Sequence, residues 1–159
     1  MVVRTPSTLP LGSIRFESCI DLPAMPEEAF ALLCAVEKWP AWLPLVRSAE
    51  LRSAQLALGS EILVRLREPR DEEQLFELDR FISNHCLTLV GAFSSRRRID
   101  FRIERQSNRA RLRISWHYPT YHGALGRLLA RIRRGRQIAV ALDRAAAQFL
   151  GLLEASIAA

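Results

Sequence analysis

The chain has 159 residues, 49% of them apolar and 25% charged, a balance that suits one globular domain with a substantial core. No apolar run nears the roughly 18 residues that a membrane-spanning helix needs. MVVRTPSTLPLGS lacks the apolar centre of a signal peptide, so the expectation is a cytoplasmic protein with a loose tail over residues 1–12 and a single domain over 13–159.

The net charge is +6, carried almost wholly by arginine, with Lys38 the one lysine. Residues 1–95 hold 9 basic and 13 acidic groups, whereas residues 96–159 hold 14 basic and 4 acidic ones. This split fits a surface for nucleic acid or anionic lipid, and equally an arginine-rich background. Cys19, Cys34 and Cys86 are scattered and form no CxxC or Cys/His spacing, which points to free thiols and to neither a zinc site nor a disulfide frame.

In chain order, SIRFESCIDL alternates Ile14, Phe16, Ser18 and Ile20 with Arg15, Glu17, Cys19 and Asp21. That period of two predicts a strand with one buried face, ended by Pro23. MPEEAFALLCAVEKW then reads as a helix. Pro26 suits its first turn, Glu27 and Glu28 suit its positive end, and Ala29, Phe30, Leu33 and Val36 form one stripe. Pro40 stops it, and AWLP makes a second short turn before Pro44.

Residues 45–118 read as six successive strands: VRSAELR, EILVRLRE, QLFELDRFI, CLTLVGAF, RIDFRIER and RLRISWHY. Leu58-Gly59-Ser60, REPRDEE, Ser83-Asn84-His85 and Gln106-Ser107-Asn108 supply turns, and links this short predict antiparallel hairpins. In the last two strands Ile99, Phe101, Ile103, Leu112, Ile114, Trp116 and Tyr118 share an apolar face. The opposite face, with Arg98, Asp100, Arg102, Arg113, Ser115 and His117, is wet and basic.

Residues 121–157 are predicted helical. Leu125, Leu128, Ile132, Gly135, Ala139, Leu142, Ala146, Phe149 and Leu153 follow in steps of three and four. From Leu125 to Leu153 such a helix spans about 42 Å, enough to cross a sheet. Gly135 on its buried stripe allows a kink, close packing or space beneath the helix. The fold class is therefore α+β: a seven-stranded curved antiparallel sheet wrapped around a long C-terminal helix, with two short helices after the first strand.

This order, together with Pro23 through Phe30, Trp39-Pro40-Ala41-Trp42-Leu43-Pro44 and a last helix ending FLGLLE, resembles the SRPBCC superfamily of START-like and Bet v 1-like helix-grip domains. The likeness covers about residues 13–157, and PTYHGALGRLLARI is similar to the approach to the last helix in the polyketide cyclase/dehydrase branch. Pro40 and Pro44 set the turns of the helices that plug the sheet, and Trp39 and Trp42 supply the surface they bury. Trp42 reads as core; Trp39 reads equally as core or as the rim of a cavity.

The resemblance implies a pocket for an apolar ligand between sheet and long helix. Its expected lining is Ile62, Val64 and Leu78 from the earlier strands, and Phe101, Ile103, Ile114, Trp116 and Tyr118 from the last two. Leu125, Leu129 and Ile132 would face them from the helix, with Trp39 and Tyr121 near the mouth. The competing reading makes all of these core. Tyr118, Tyr121 and His122 are acid–base candidates, because a phenol or imidazole can orient a carbonyl or move a proton. Set against that, the tyrosine is a loop residue and the histidine faces solvent. His117 falls on the outward side, and His85 sits in a turn.

No metal site, cofactor motif, GxSxG or Gly-rich phosphate loop is present. Asp71-Glu72-Glu73 reads as a solvated turn, and few inward positions carry polar groups. The expected function is binding of a hydrophobic or amphipathic small molecule, lipid or polyketide-like, by a monomer or homodimer. One alternative is an enzyme of the cyclase, aromatase or dehydrase type. The other is an adaptor for RNA or an anionic surface, using Arg127, Arg131, Arg133, Arg134 and Arg136 with Arg96, Arg97 and Arg98. Aromatic interleaving is missing near that run, so a solvated helix face is the simpler reading, with no strong nucleic-acid signal.

Overall fold

The computed structural model describes residues 8–9, 13–67, 72–93, 96–107, 109–119 and 124–158; at 8–9, 13 and 124–134 it describes the backbone alone. The elements are β1 (Thr8–Leu9), β2 (Ser13–Leu22), α1 (Pro26–Cys34), a 3₁₀ turn (Val36–Lys38), α2 (Trp39–Trp42) and β3 (Val46–Leu51). Then come β4 (Glu61–Leu66), β5 (Glu72–Ile82), β6 (Cys86–Gly91), β7 (Arg98–Gln106), β8 (Arg109–Pro119) and α3 (Ala124–Ala158). This is the α+β helix-grip arrangement: seven principal antiparallel strands in a curled sheet and one long C-terminal helix. Thr8–Leu9, in the segment read as a tail, adds a two-residue strand beside Ile14 and Ser13.

The sheet order is β1-β2-β8-β7-β6-β5-β4-β3, so the meander from β3 to β8 closes onto the first long strand. Register fixes the faces. Ile99 pairs with Trp116 and Phe101 with Ile114, while Phe16 pairs with Trp116 from the other side. Successive residues of a strand point to opposite faces, so these apolar residues line the concave face. The hairpin turns hold residues in the left-handed region, Gly59 (φ 80), Asn84 (φ 59) and Ser107 (φ 47), where glycine and short polar residues are cheapest.

Pro26 opens α1, and the Glu28 carboxylate accepts the Met25 backbone N–H at 3.0 Å, closing the first turn. Ala29, Phe30 and Leu33 are buried, as their spacing predicts. Pro40 lies inside α2 instead of ending a helix there. It occupies an early position, where its missing N–H costs nothing. Both tryptophans are fully buried. Trp42 meets Phe101 and Phe149 edge-on, with ring centroids 5.7 and 4.9 Å apart, and Trp39 lies 5.8 Å from Phe101. These four rings tie α2, β7 and α3 together and fill one end of the concave face.

Helix α3 lies along β2. Ser18 Oγ donates to Asp143 Oδ1 at 3.0 Å, and Gly135 sits over the Phe16 ring. Leu142, Ala146, Phe149 and Leu153 are buried as expected. Ile138 and Ala145 join them, whereas Ala139 is only half-buried. The buried stripe is thus wider than one residue per turn, because the helix rests in a concave surface that touches its flanks.

Candidate functional site

The concave face is built from the strand residues the alternation singles out. Ile62, Val64, Leu78, Phe101, Ile103, Ile114 and Trp116 are all buried and belong to one core cluster with Trp39. Trp39 also donates its indole N–H to the Leu33 carbonyl at 2.9 Å, which fixes it as a joint between α1 and α2. Tyr118 and Phe16 are half-buried. They mark the end of the concave face opposite the Trp39–Trp42 plug. Tyr121 and His122 lie outside the described residues, and Leu125, Leu129 and Ile132 fall where only the backbone of α3 is described.

At the Tyr118 end the inward positions are more polar than the sequence suggests. Arg97 precedes β7, one residue before the Arg98–His117 pair, and so shares the face of Ile99 and Tyr118. Its guanidinium carbon stands 5.6 Å from the centre of the Tyr118 ring, a cation–π contact. Nη2 donates to Glu72 Oε2 at 2.9 Å. Gln74 follows Glu72 on the same face of β5 and donates to the Leu75 carbonyl at 3.0 Å. Tyr118 in turn stacks on Trp116 at 6.1 Å and meets Phe16 edge-on at 6.4 Å. Arg97, read from the sequence as part of an outer arginine face, and Glu72, read as a turn residue, are therefore candidates for the concave face that the sequence reading did not place there. Arg97 sits in an arginine triplet and Glu72 in an acidic turn, and both look solvated by composition.

Two donors at this end have no acceptor. Trp116 Nε1 is buried without a hydrogen-bond partner, and so is Arg97 Nη1. A buried donor without a partner carries a desolvation cost of about 1–3 kcal/mol. Trp42 Nε1 is likewise unpartnered, but it lies at the packed end.

The outer face holds a second polar assembly. Thr88 pairs with Asp100, Asp100 with Ser115, and Ser115 with Glu17, one row across β6, β7, β8 and β2. Thr88 Oγ1 donates to Asp100 Oδ1 at 2.8 Å, and Arg98 Nε to Oδ2 at 3.0 Å. His117 Nε2 lies 3.2 Å from Asp100 Oδ2, close but poorly aligned for a hydrogen bond. Burial pushes the Asp100 carboxyl up, but contacts from His117, Arg98 and Thr88 outweigh it and hold the group well below the usual carboxylate range. Glu17 pairs with Arg15 and accepts from Arg113 Nη1 and Ser115 Oγ, each at 3.1 Å. His117 thus points outward as expected, yet it is buried beneath neighbouring side chains.

The arginine face divides. Arg97 and Arg98 are engaged with Glu72 and Asp100, while Arg96 and Arg136 are exposed. Arg127, Arg131, Arg133 and Arg134 fall where only the helix backbone is described. The thiols of Cys19 and Cys34 are half-buried and that of Cys86 buried, all three free. Burial pushes the Cys34 thiol up to about 11. Among the described residues no group of three or more His, Cys, Asp or Glu could hold a metal ion, and no helix is long and apolar enough to cross a membrane.

No family model and no curated protein matches the sequence. Solved structures do match the fold. The protein TTHA0849 from Thermus thermophilus superposes with a TM-score of 0.73 at 14% identity, over 89% of this chain and 98% of that one. A START superfamily protein from Mycobacterium smegmatis gives 0.67 at 11% identity, over 88% and 97%. Ara h 8.0201 gives 0.55 at 15% identity, over 91% and 99%. The chain thus shares the helix-grip fold of these structures, the fold that the sequence resemblance implied.

Proposed function

We propose that this protein binds a hydrophobic or amphipathic small molecule, lipid or polyketide-like, between the concave face and α3. The observation that carries the reading is the asymmetry of that face. Four interlocked aromatic rings fill one end, while the other ends in half-buried Phe16 and Tyr118 beside buried apolar strand residues. A ligand entering at Tyr118 would meet Trp116 and Ile114 next, then Phe101. Pockets of this kind combine an apolar lining with a few polar groups that orient the guest.

The test is titration of the full chain with the neutral fluorophore N-phenyl-1-naphthylamine. Saturable binding is expected, weakened about tenfold by Ile114→Gln, since a buried unpaired amide opposes an apolar guest. Absence of saturable binding would refute the reading.

Tyr118 also supports a second reading, acid–base chemistry of the cyclase/dehydrase type, because its phenol is half-buried at the same end. Turnover of a poly-β-keto thioester, lost in Tyr118→Phe, is the result that reading requires.

A further inference from the structure

We propose that the guest carries a carboxylate, which Arg97 and Trp116 bind through the two donor groups they leave unused. This rests on the small-molecule reading above and narrows it to one ligand class.

Two buried donors at the Tyr118 end are without a hydrogen-bond partner. An indole nitrogen can only donate, and a guanidinium offers five donors and no acceptor. Trp116 is fully buried and its Nε1 has no acceptor. The Arg97 side chain is 13% exposed; Nη2 is satisfied by Glu72, and Nη1 is buried with nothing to donate to. Tyr118 joins the two, with the guanidinium 5.6 Å above its ring and the Trp116 indole stacked beside it. Among the described residues of this end, these two buried donors are left for an acceptor that a guest could bring.

The charge of Arg97 selects among acceptors. Its anionic partner among the described residues, Glu72, is 46% exposed and can turn into water without a desolvation cost. That would free both terminal nitrogens for a paired contact with a carboxylate, the geometry a guanidinium fits best. A neutral carbonyl or hydroxyl would satisfy one donor and gain nothing from the charge. Half-buried Tyr118 is the side chain that moves to admit the head group, while the apolar tail runs from Phe16 toward Ile114 and stops short of the Trp39–Trp42 plug.

The experiment measures displacement of N-phenyl-1-naphthylamine from the full chain by decanoate and by 1-decanol. Wild type is expected to prefer decanoate by about tenfold or more, as for a hydrogen bond to a charged group. Arg97→Gln is expected to lose that preference while keeping decanol affinity. Glu72→Gln, which leaves the guanidinium without its internal competitor, is expected to bind decanoate about threefold tighter. Equal affinities in wild type, a preference that survives Arg97→Gln, or a Glu72→Gln variant no tighter than wild type would each overturn the carboxylate assignment while leaving the small-molecule reading standing. Failure of the fluorophore itself to bind would instead remove that reading.

Discussion

Gly135 of α3 rests so close over Phe16 of β2 that a methyl group on it would stand 3.1 Å from the ring's Cε1 and 3.4 Å from Cζ. Of the three roles open to a glycine on a buried helical stripe, close packing is the one the structure shows. Gly135→Ala gains about 1 kcal/mol of helix propensity and loses a similar amount moving the Phe16 ring, so urea unfolding should change little. Gly135→Leu cannot be absorbed that way and should cost about 1–3 kcal/mol. Adding Phe16→Ala to Gly135→Leu should recover part of that loss, because the two sites are coupled by contact. Additive effects would show that the helix does not bear on this ring.

The two plug tryptophans predict different costs for the same change. Trp39→Phe removes a buried hydrogen bond to the Leu33 carbonyl. Trp42→Phe removes an indole N–H that has no partner. Trp39→Phe should therefore destabilise by about 1–2 kcal/mol more than Trp42→Phe, read from denaturant midpoints. Equal losses would mean that ring volume alone matters at both positions.

Asp100 predicts an acid-sensitive fold. Its carboxyl is held below the usual value near 4 by His117, Arg98 and Thr88, against the effect of burial. The sign follows: the contacts contribute in full above that value, and their contribution is lost as pH falls through the depressed one. Stability should thus decline as pH drops below about 4. Asp100→Asn should cost about 2 kcal/mol at neutral pH and flatten this acid limb. A variant with the same acid slope as wild type would assign it to other carboxylates.

Much of the fold is legible in the sequence because it rests on alternation and on turn chemistry. SIRFESCIDL forms a strand with the predicted limits, and Asn84 and Ser107, both in predicted turn clusters, stand at positive φ. Alternation assigns a face but not a depth. It places His117 outward, yet that side chain is buried, paired across the sheet with Arg98 and 3.2 Å from Asp100 in a packed polar row. Arg97 is hidden for a related reason. It lies just outside the alternating segment, in a triplet that composition marks as solvated, and only the β7–β8 register turns it inward over Tyr118. Glu72 reads as a turn residue because nothing local shows that β5 begins there.

The three indole N–H resonances in a ¹H–¹⁵N spectrum test the concave-face site most directly. Trp39 is engaged with a backbone carbonyl and Trp42 is packed between two rings, but Trp116 lies next to the proposed entrance. On titration with decanoate, the Trp116 signal should move downfield and saturate, while the other two stay nearly fixed. A Trp116 signal that does not respond while decanoate binds elsewhere would contradict the account.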